Sequence, residues 1–517
     1  MQYFLRLMAF LLYWIGSRLQ FIIKLCSGIK KEQIPEFNSE ILGLSALKLV
    51  QKLKACEISS EEIVREYIKR IKAVNPILNA VVDDRFSEAV EEAKKADQVI
   101  VLTANRDELF EKYPLFGVPF SVKESCGVEG LSHVVGSHYR RGMKSTEDGA
   151  AIQLLREAGA IPLLVSANPE LCVSWETLTF TNGRCSNPYN TQYTPGGSSG
   201  GEGSLNGAGA TVFGIGSDFC GSIRIPAMFN GVYGHKPSGG LVSPKGHFPN
   251  TNQVGMEKVL QMGPMTRFVE DLPLLLDIIV GENSSKLIDS TDIDKMKIFY
   301  VDLSMRTTVL PVTSSIKKSI ENACNHFSSR GNEVQKLEIK EMHNLLEIVA
   351  GKLMLFVPPS IHTNLANPEE KTTTMAEIGK HFKGKPMHTL SALYFQSLYD
   401  FRFALPIFRS DYYINIMDAL ETKLKETLGN DGVLFFPTFH RPAFLHNTSI
   451  IHSPGTVLTG IFNVLGLPSL HVPMGLDKNG LPVGFQIVAA PLADKNCFKV
   501  AVELEKVFGG WIPPSSS

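Results

Sequence analysis

Short apolar runs alternate with amphipathic helical stretches along most of this chain, and this alternation limits the folds available to it. The runs LFGVPFSVKE (115–124) and IPLLVS (161–166) have the composition of buried strands and flank the helical stretch DGAAIQLLREAGA (148–160). Later strand-like runs are ATVFGIGSD (210–218), KIFYVDL (297–303), NEVQKLEIK (332–340), GVLFFPTF (432–439) and GFQIVAA (484–490), with a helix over about 314–329. This order predicts an α/β fold, a large mixed twisted β-sheet covered by helices on both faces.

The length and composition of the chain are those of a large globular protein. Of its 517 residues, 44% are hydrophobic and 20% are charged. Because we find no internal repeat and no long linker, we expect a hydrophobic segment (1–29), one domain (30–512) and a short tail (513–517). The net charge of −1 provides no basic surface for nucleic acid. The eight cysteines and thirteen histidines show no metal-binding spacing, so we expect free thiols, no metal and no other cofactor.

The N-terminal segment MQYFLRLMAFLLYWIGSRLQFIIKLCSG is apolar but is interrupted by Arg6, Arg18 and Lys24. The uninterrupted stretch between the two arginines is shorter than the roughly 20 residues of a standard membrane span. It also lacks a clear small-residue cleavage site for a signal peptide. We expect a membrane-anchoring helix that binds lipid, lies in the interface or crosses at a tilt, and places the protein on an intracellular membrane. A buried amphipathic helix is the alternative.

Helical patterns also precede the first predicted strand and fill the region 350–415. LSALKLVQKLK (44–54) is amphipathic, and Ser59 with Glu62 forms a candidate capping box for a helix that ends before Asn75-Pro76. SEAVEEAKKADQVI (87–100) continues this helical layer. Region 350–415 is apolar and irregular, which fits either helices over a pocket or ordinary core.

Two serine motifs lie in glycine-rich sequence, TPGGSSGG (194–201) and GSIRIP (221–226). A phosphate-binding P-loop is excluded because no lysine follows these glycines, and residues 196–209 also lack the spacing GxGxxG. A flexible linker is excluded because the motif leads directly into an apolar strand-like segment. Glycines beside a serine instead let backbone N–H groups converge on a developing oxyanion in acyl transfer. If Ser222 attacks a carbonyl, the predicted donors are the backbone N–H groups of Phe219, Cys220, Gly221 and Ser222.

A serine nucleophile requires a base, and the chain has neither a GxSxG elbow nor an evident serine–histidine–aspartate arrangement. Lysine can act as the base where burial disfavours its charged form. Lys123 ends the apolar strand-like run GVPFSVKE, so desolvation of its amine is expected. A lone lysine would be an ordinary surface charge, but this one accompanies the two serine motifs.

Four motifs occur in a characteristic order: GVPFSVKE, PGGSSGGEG, GSDFCGSIRIP and GPMTRFVEDL. Together they resemble the amidase signature hydrolases, and the resemblance covers roughly residues 40–510. It implies that Ser222 is the nucleophile, Lys123 the base and Ser198 the bridging serine that relays the proton between them.

The resemblance also assigns supporting positions. Ser199 corresponds to a residue that supports the catalytic network, and Asp218 and Arg224 flank the nucleophile in a structural polar network. Cys220 departs from the family pattern, which usually has glycine there. If this position needs a positive φ, its β-carbon adds local strain.

The family implies hydrolysis of a small-molecule acyl amide through an acyl-enzyme. Its members include bacterial amidases, the glutamine-hydrolysing subunit of tRNA amidotransferases and fatty-acid amide hydrolases. The hydrophobic N-terminal segment favours fatty acid amides, cleaved to a fatty acid plus an amine or ammonia. The alternatives are a broader amidase or carboxylesterase on non-lipid substrates and a catalytically silent, membrane-bound scaffold. The oligomeric state stays open, with a homodimer among the alternatives.

Overall fold

A computed structural model describes the chain at residues 11, 13–16, 18, 28–36, 38–249, 253–301, 310–356, 361, 372–400 and 410–514. In these residues the strands are β1 Val81–Asp84, β2 Pro119–Lys123, β3 Ile161–Ser166, β4 Leu178–Thr179, β5 Gly183–Arg184, β6 Phe213–Asp218, β7 Tyr233–Lys236, β8 Gln261–Thr266, β9 Lys297–Val301, β10 Val334–Leu337, β11 Gly432–Phe436, β12 Ser469–Leu476 and β13 Pro482–Ala489. Eleven of them form one continuous sheet in the order β1-β3-β2-β6-β8-β7-β12-β13-β11-β9-β10. Strands β4 and β5 form a separate two-stranded ribbon.

The large sheet is mixed, as predicted. Strand β2 is parallel to both of its neighbours, β3 and β6, and β9 is parallel to β10 and β11. The central pairs β6–β8, β8–β7 and β7–β12 are antiparallel. Because β2 and β6 run in the same direction, their carboxyl ends meet at one edge of the sheet. The loops that follow these two strands therefore lie side by side.

Helices flank this sheet, which confirms the predicted α/β class. Their bounds in the described residues are Ala46–Lys54, Ser60–Leu78, Phe86–Leu102, Arg106–Lys112, Ala150–Glu157, Gly200–Gly207, Arg224–Phe229, Met256–Val259, Leu272–Val280, Ser314–Arg330, Leu345–Leu353, Thr374–Phe382, Leu390–Asp400, Ser410–Leu428, Ser449–His452, Val457–Val464 and Asp494–Phe508. The helix Phe86–Leu102 packs against β3, and Ser314–Arg330 packs against β13. One large apolar core joins helices and sheet.

The helix Ser60–Leu78 starts where the sequence predicts and ends later than predicted. The Ser59 side chain caps it by accepting a hydrogen bond from the Glu62 backbone N–H at 3.1 Å. The helix continues through Pro76, which sits in its last turn, and ends at Asn79 in the left-handed conformation. A proline this close to the end removes a single backbone hydrogen bond and does not stop the helix from closing its final turn.

Most of the predicted membrane anchor (1–29) lies outside the described residues. Its described positions contact the main domain: the Tyr13 ring lies edge-on to His440 at 5.6 Å between centroids. Gly16 approaches Ile451 so closely that a β-carbon at Gly16 would lie 2.6 Å from the Ile451 side chain. Within the described residues, no helix has both the length and the apolar character needed to cross a bilayer.

Candidate active site

Lys123 ends β2, and its side chain points into the protein at the edge where β2 and β6 meet. The residue is fully buried. Its Nζ lies 2.6 Å from the Ser198 Oγ and 2.9 Å from the Ser217 Oγ. The structure thus brings together the predicted base and the predicted bridging serine, which are distant in sequence.

The loop that carries Ser198 and Ser199 leads into the helix Gly200–Gly207. The preceding peptide bond, between Gly197 and Ser198, is cis. A β-carbon at Gly197 would lie 2.6 Å from a backbone carbonyl oxygen, so this tight approach requires glycine. Ser199 Oγ lies 3.3 Å from the Ser217 carbonyl oxygen, and the Ser199 N–H donates to the Ser222 carbonyl at 3.0 Å. Ser199 therefore connects the two serine motifs by hydrogen bonds.

Ser222 lies in the turn between β6 and the helix Arg224–Phe229. It is 7% exposed and lines a cavity, whereas Lys123 and Ser198 are buried and are not among the residues that line it. The preceding Gly221 has φ +99°, and a β-carbon there would collide with the Thr459 side chain. Glycine is thus needed at 221 to turn the chain and present Ser222 to the cavity.

Asp218 is buried and stabilises this turn through hydrogen bonds and an ion pair. Its carboxylate accepts hydrogen bonds from the backbone N–H groups of Gly221 at 2.6 Å and Ile223 at 3.1 Å. It also pairs with Arg224, whose Nε lies 3.0 Å from Oδ2. Burial alone would raise the pKa of Asp218, but Arg224 and the hydrogen bonds, including one from Asn463, hold it below its usual range. These contacts fit the expected structural polar network.

The predicted oxyanion donors differ in availability. The Gly221 N–H is engaged by Asp218. In the described part of the chain, the N–H groups of Phe219, Cys220 and Ser222 have no protein acceptor. Cys220 itself does not have a positive φ, since that conformation belongs to Gly221. The strain considered for a β-carbon at 220 is therefore absent.

Two residues that the sequence analysis did not single out complete the network around the lysine. Ser217 Oγ lies 2.9 Å from Lys123 Nζ and 2.9 Å from His247 Nε2. His247 is 6% exposed, lines the same cavity as Ser222 and places its Nδ1 2.9 Å from the Pro249 carbonyl oxygen. Burial is the main cause that lowers the pKa of His247 to about 3.

The sequence offered a signal for only one of these two residues. Ser217 precedes Asp218 at the end of a predicted strand and inside a recognised motif. His247 lies in the loop KGHFP, and only the fold brings it to the site.

A buried carboxyl group lies on the other side of Lys123. Glu202, in the first turn of the helix Gly200–Gly207, accepts a hydrogen bond from Ser121 Oγ at 2.6 Å. Burial raises the pKa of Glu202 to about 7, while Ser121 and Lys123 oppose that rise. Ser121 is two residues before Lys123 in β2, so both side chains leave the same face of the strand.

The cavity at Ser222 has a volume of about 220 Å³. The helices Leu345–Leu353 and Leu390–Asp400 contribute side chains to this cavity. The first overlaps the start of region 350–415 and the second lies within it, which favours helices over a pocket rather than ordinary core for that region. Apolar lining residues include Leu171, Trp175, Leu260, Leu353, Phe356 and Phe395. The space beside Ser222 thus suits an apolar group.

Comparison with known proteins agrees with this fold. The family model described as Amidase matches residues 62–498. Fatty-acid amide hydrolase 2-A of Danio rerio is 39% identical over 94% of this chain and 92% of its own length. Fatty-acid amide hydrolase 2 of Homo sapiens is 32% identical over 92% and 91%, respectively. A bacterial aryl acylamidase structure of the amidase signature family superimposes with a TM-score of 0.73 at 21% identity, covering 93% of this chain and all of the other.

The fold and the family match define the protein as an amide hydrolase. More particularly, the chain belongs to the amidase signature family.

Proposed function

We propose that Ser222 is the nucleophile of a Ser-Ser-Lys triad that hydrolyses fatty acid amides. The observation that carries this proposal is the 2.6 Å contact between Lys123 Nζ and Ser198 Oγ, together with the cavity that Ser222 lines. The proposal requires Lys123 to act as an uncharged amine, whose lone pair can accept a proton.

The first half of the reaction forms an acyl-enzyme. Ser222 Oγ attacks the amide carbon as its proton passes to Ser198, and the Ser198 proton passes to Lys123. The N–H groups of Phe219, Cys220 and Ser222 stabilise the oxyanion. The relay then runs in reverse and protonates the leaving nitrogen, because an unprotonated amine leaves poorly.

The second half releases the acid. A water molecule attacks the acyl carbon, giving up its proton through the same relay, and the ester bond to Ser222 breaks. Ser222 recovers its proton and the fatty acid leaves. The products are one fatty acid and one amine, or ammonia from a primary amide.

The fatty acyl part of the proposal rests on the apolar walls of the cavity and on the relatives, which are named for fatty-acid amides. An acyl chain beside Ser222 would replace water against Leu353, Phe356 and Phe395. Each buried methylene contributes about 0.8 kcal/mol, so catalytic efficiency is expected to rise with chain length until the cavity is filled.

A series of acyl amides of increasing chain length, assayed beside short polar amides and matched esters, tests this function. We expect kcat/KM to rise with chain length and all turnover to vanish in Ser222→Ala. Best turnover of short polar amides would replace the lipid assignment with a broader amidase, and preference for esters would indicate a carboxylesterase. Wild-type protein that turns over none of them and resists a fluorophosphonate would be a silent scaffold.

We also propose that the N-terminal segment attaches the enzyme to a membrane surface. Tyr13 and Gly16 face the main domain, whereas Leu11, Trp14 and Ile15 are 40%, 50% and 48% exposed. Exposed apolar side chains on one helix are suited to the interfacial region of a bilayer. Flotation with phosphatidylcholine vesicles tests this: replacing these three residues with serine should weaken binding while hydrolysis of a soluble amide persists. Unchanged flotation would contradict it.

A further inference from the structure

The orientation of the His247 ring is fixed by a backbone carbonyl. Its Nδ1 lies 2.9 Å from the Pro249 oxygen, which can only accept a hydrogen bond, so Nδ1 carries the proton. With its pKa lowered to about 3, the ring is neutral at ordinary pH. Its Nε2, 2.9 Å from Ser217 Oγ, is therefore an acceptor. Ser217 must donate its single hydroxyl proton to His247.

The direction of this hydrogen bond determines how Ser217 can interact with Lys123. With its proton directed to His247, the Ser217 hydroxyl oxygen can only accept from the amine at 2.9 Å. The Ser217 carbonyl oxygen, 3.4 Å from the amine, also only accepts. A neutral lysine has two N–H groups and one lone pair, so both N–H groups are directed to Ser217. The lone pair is left for Ser198, which is the closest of the three oxygens at 2.6 Å.

We propose that His247 is a positioning residue which, acting through Ser217, orients the lone pair of Lys123 toward the Ser198 proton. The inference rests on the proposed function, in which Lys123 is the base. Without an acceptor at 247, the Ser217 hydroxyl can rotate and donate to the lysine lone pair at 2.9 Å, which is closer than the other available acceptor, Ser125 Oγ, at 3.4 Å. That hydrogen bond competes with Ser198 and blocks the first proton transfer.

The groups around His247 leave few other partners for its ring. The charged or titratable residues that act on it are Lys123 and His133. His133 contacts the ring of Phe248 and the Ser125 carbonyl. Arg140 stacks over the ring of Phe248, the residue after His247, with its guanidinium carbon 3.6 Å from the ring centroid. His133 is thus a nearby histidine outside the chain of hydrogen bonds that leads to Lys123, which makes it a matched control.

The test compares His247→Leu with His247→Gln. Leucine removes the acceptor, whereas the glutamine amide oxygen can accept from Ser217. The rate of covalent labelling by a fluorophosphonate, followed against pH, reports the attack of Ser222 directly. We expect His247→Leu to react about tenfold more slowly, the effect of one misdirected hydrogen bond. Glutamine should recover most of the rate, and His133→Leu should match the wild type.

A double-mutant cycle removes the effect of altered packing. In Ser217→Ala no hydroxyl remains to be misdirected, so adding His247→Leu should cause no further loss. Additive losses, equal losses in the leucine and glutamine variants, or a wild-type rate in His247→Leu would overturn the inference. The proposed function is tested separately by Lys123→Ala and Ser222→Ala. If these variants are inert while the His247 variants react normally, only the role of His247 fails.

Discussion

The amine of Lys123 lies 2.6 Å from the hydroxyl oxygen of Ser198, and both side chains are buried. The contact joins the end of a parallel strand to a glycine-rich loop. It turns a lysine, which is normally a surface charge, into a group that can exchange a proton with a serine. The proposed chemistry depends on this pair because it is the link between the base and the rest of the relay.

Replacing the bridging serine, Ser198, should interrupt proton transfer from Ser222 to Lys123. We expect Ser198→Ala to lower kcat/KM for an acyl amide by about 10²–10⁴-fold, the usual contribution of a positioned proton donor or acceptor. Steady-state kinetics measure the loss, and an unchanged thermal midpoint controls for folding. Activity within threefold of the wild type would show that the proton leaves Ser222 by another route.

The Asp218–Arg224 pair should dominate the stability of the nucleophile turn. Asp218→Asn leaves the buried Arg224 without its counter-charge, which is expected to lower the free energy of unfolding by about 3–5 kcal/mol. Because the folded-state pKa of Asp218 lies below its unfolded value, its contribution is present above the ordinary aspartate pKa of about 4 and is lost as pH falls toward the folded value. Urea denaturation at pH 7 and at about pH 2.5, below the ordinary aspartate pKa, measures both effects. A difference between wild type and variant that stays constant or grows on acidification would contradict this prediction.

Cys220 occupies space that Gly460 leaves open. A β-carbon at Gly460 would lie 2.5 Å from the Cys220 sulfur. Gly460→Ala should therefore lower stability by about 1–3 kcal/mol through overpacking. Adding Cys220→Gly should restore part of this loss, since a β-carbon at 460 would also lie 2.9 Å from a Val349 methyl group. Alone, Cys220→Gly keeps the backbone N–H and should leave hydrolysis intact or raise it. Thermal midpoints and kcat/KM of the wild type, the two single variants and the double variant measure these effects. Complete loss of turnover in Cys220→Gly, or a double variant no more stable than Gly460→Ala, would contradict the prediction.

A second buried lysine predicts a pH-dependent stability. Lys236 is fully buried in β7, donates to the Pro237 carbonyl at 2.7 Å, and has its pKa lowered by burial to about 7. Between about pH 7 and the unfolded value of 10.5, the unfolded chain binds one more proton, so the free energy of unfolding rises with pH. The rise is at most about 1.4 kcal/mol per pH unit.

The variant Lys236→Met removes this titration while keeping a similar volume. Urea denaturation of both proteins at pH 7.5, 8.5 and 9.5 should show the wild type gaining stability relative to the variant as pH increases, at up to about 1.4 kcal/mol per unit. Parallel stabilities across this range would mean that Lys236 keeps its ordinary pKa in the folded protein.

The strands that could be predicted are mostly apolar runs, with NEVQKLEIK, which contains β10, as an exception. Runs such as Ile161–Ser166 and Gly432–Phe436 were predicted, but the buried strands Tyr233–Lys236 and Gln261–Thr266 were not. These two segments contain glycine, proline, lysine and glutamine, which are depleted in strands. Their place in the centre of the sheet depends on neighbours supplied by distant sequence, so local composition does not indicate it.

The site, like the sheet, could be predicted from the sequence only in part. Lys123 and Ser198 come together as the motif order implies, and the parallel strands β2 and β6 bring Lys123 and Ser217 to one edge of the sheet. His247 could not be predicted, since a single histidine in a loop has no local signature. The sequence also could not show which backbone N–H groups are available to an oxyanion, because this depends on which of them donate to Asp218.

The position of a covalent adduct tests the central claim most directly. Purified protein is treated with an alkyl fluorophosphonate, digested, and examined by mass spectrometry, with Ser198→Ala and Lys123→Ala treated in parallel. We predict one adduct, on Ser222, that forms far more slowly in both variants and is absent in Ser222→Ala. An adduct on Ser198, or labelling of Ser222 at the wild-type rate in Lys123→Ala, would contradict the assignment of Ser222 as the nucleophile activated by Lys123 through Ser198.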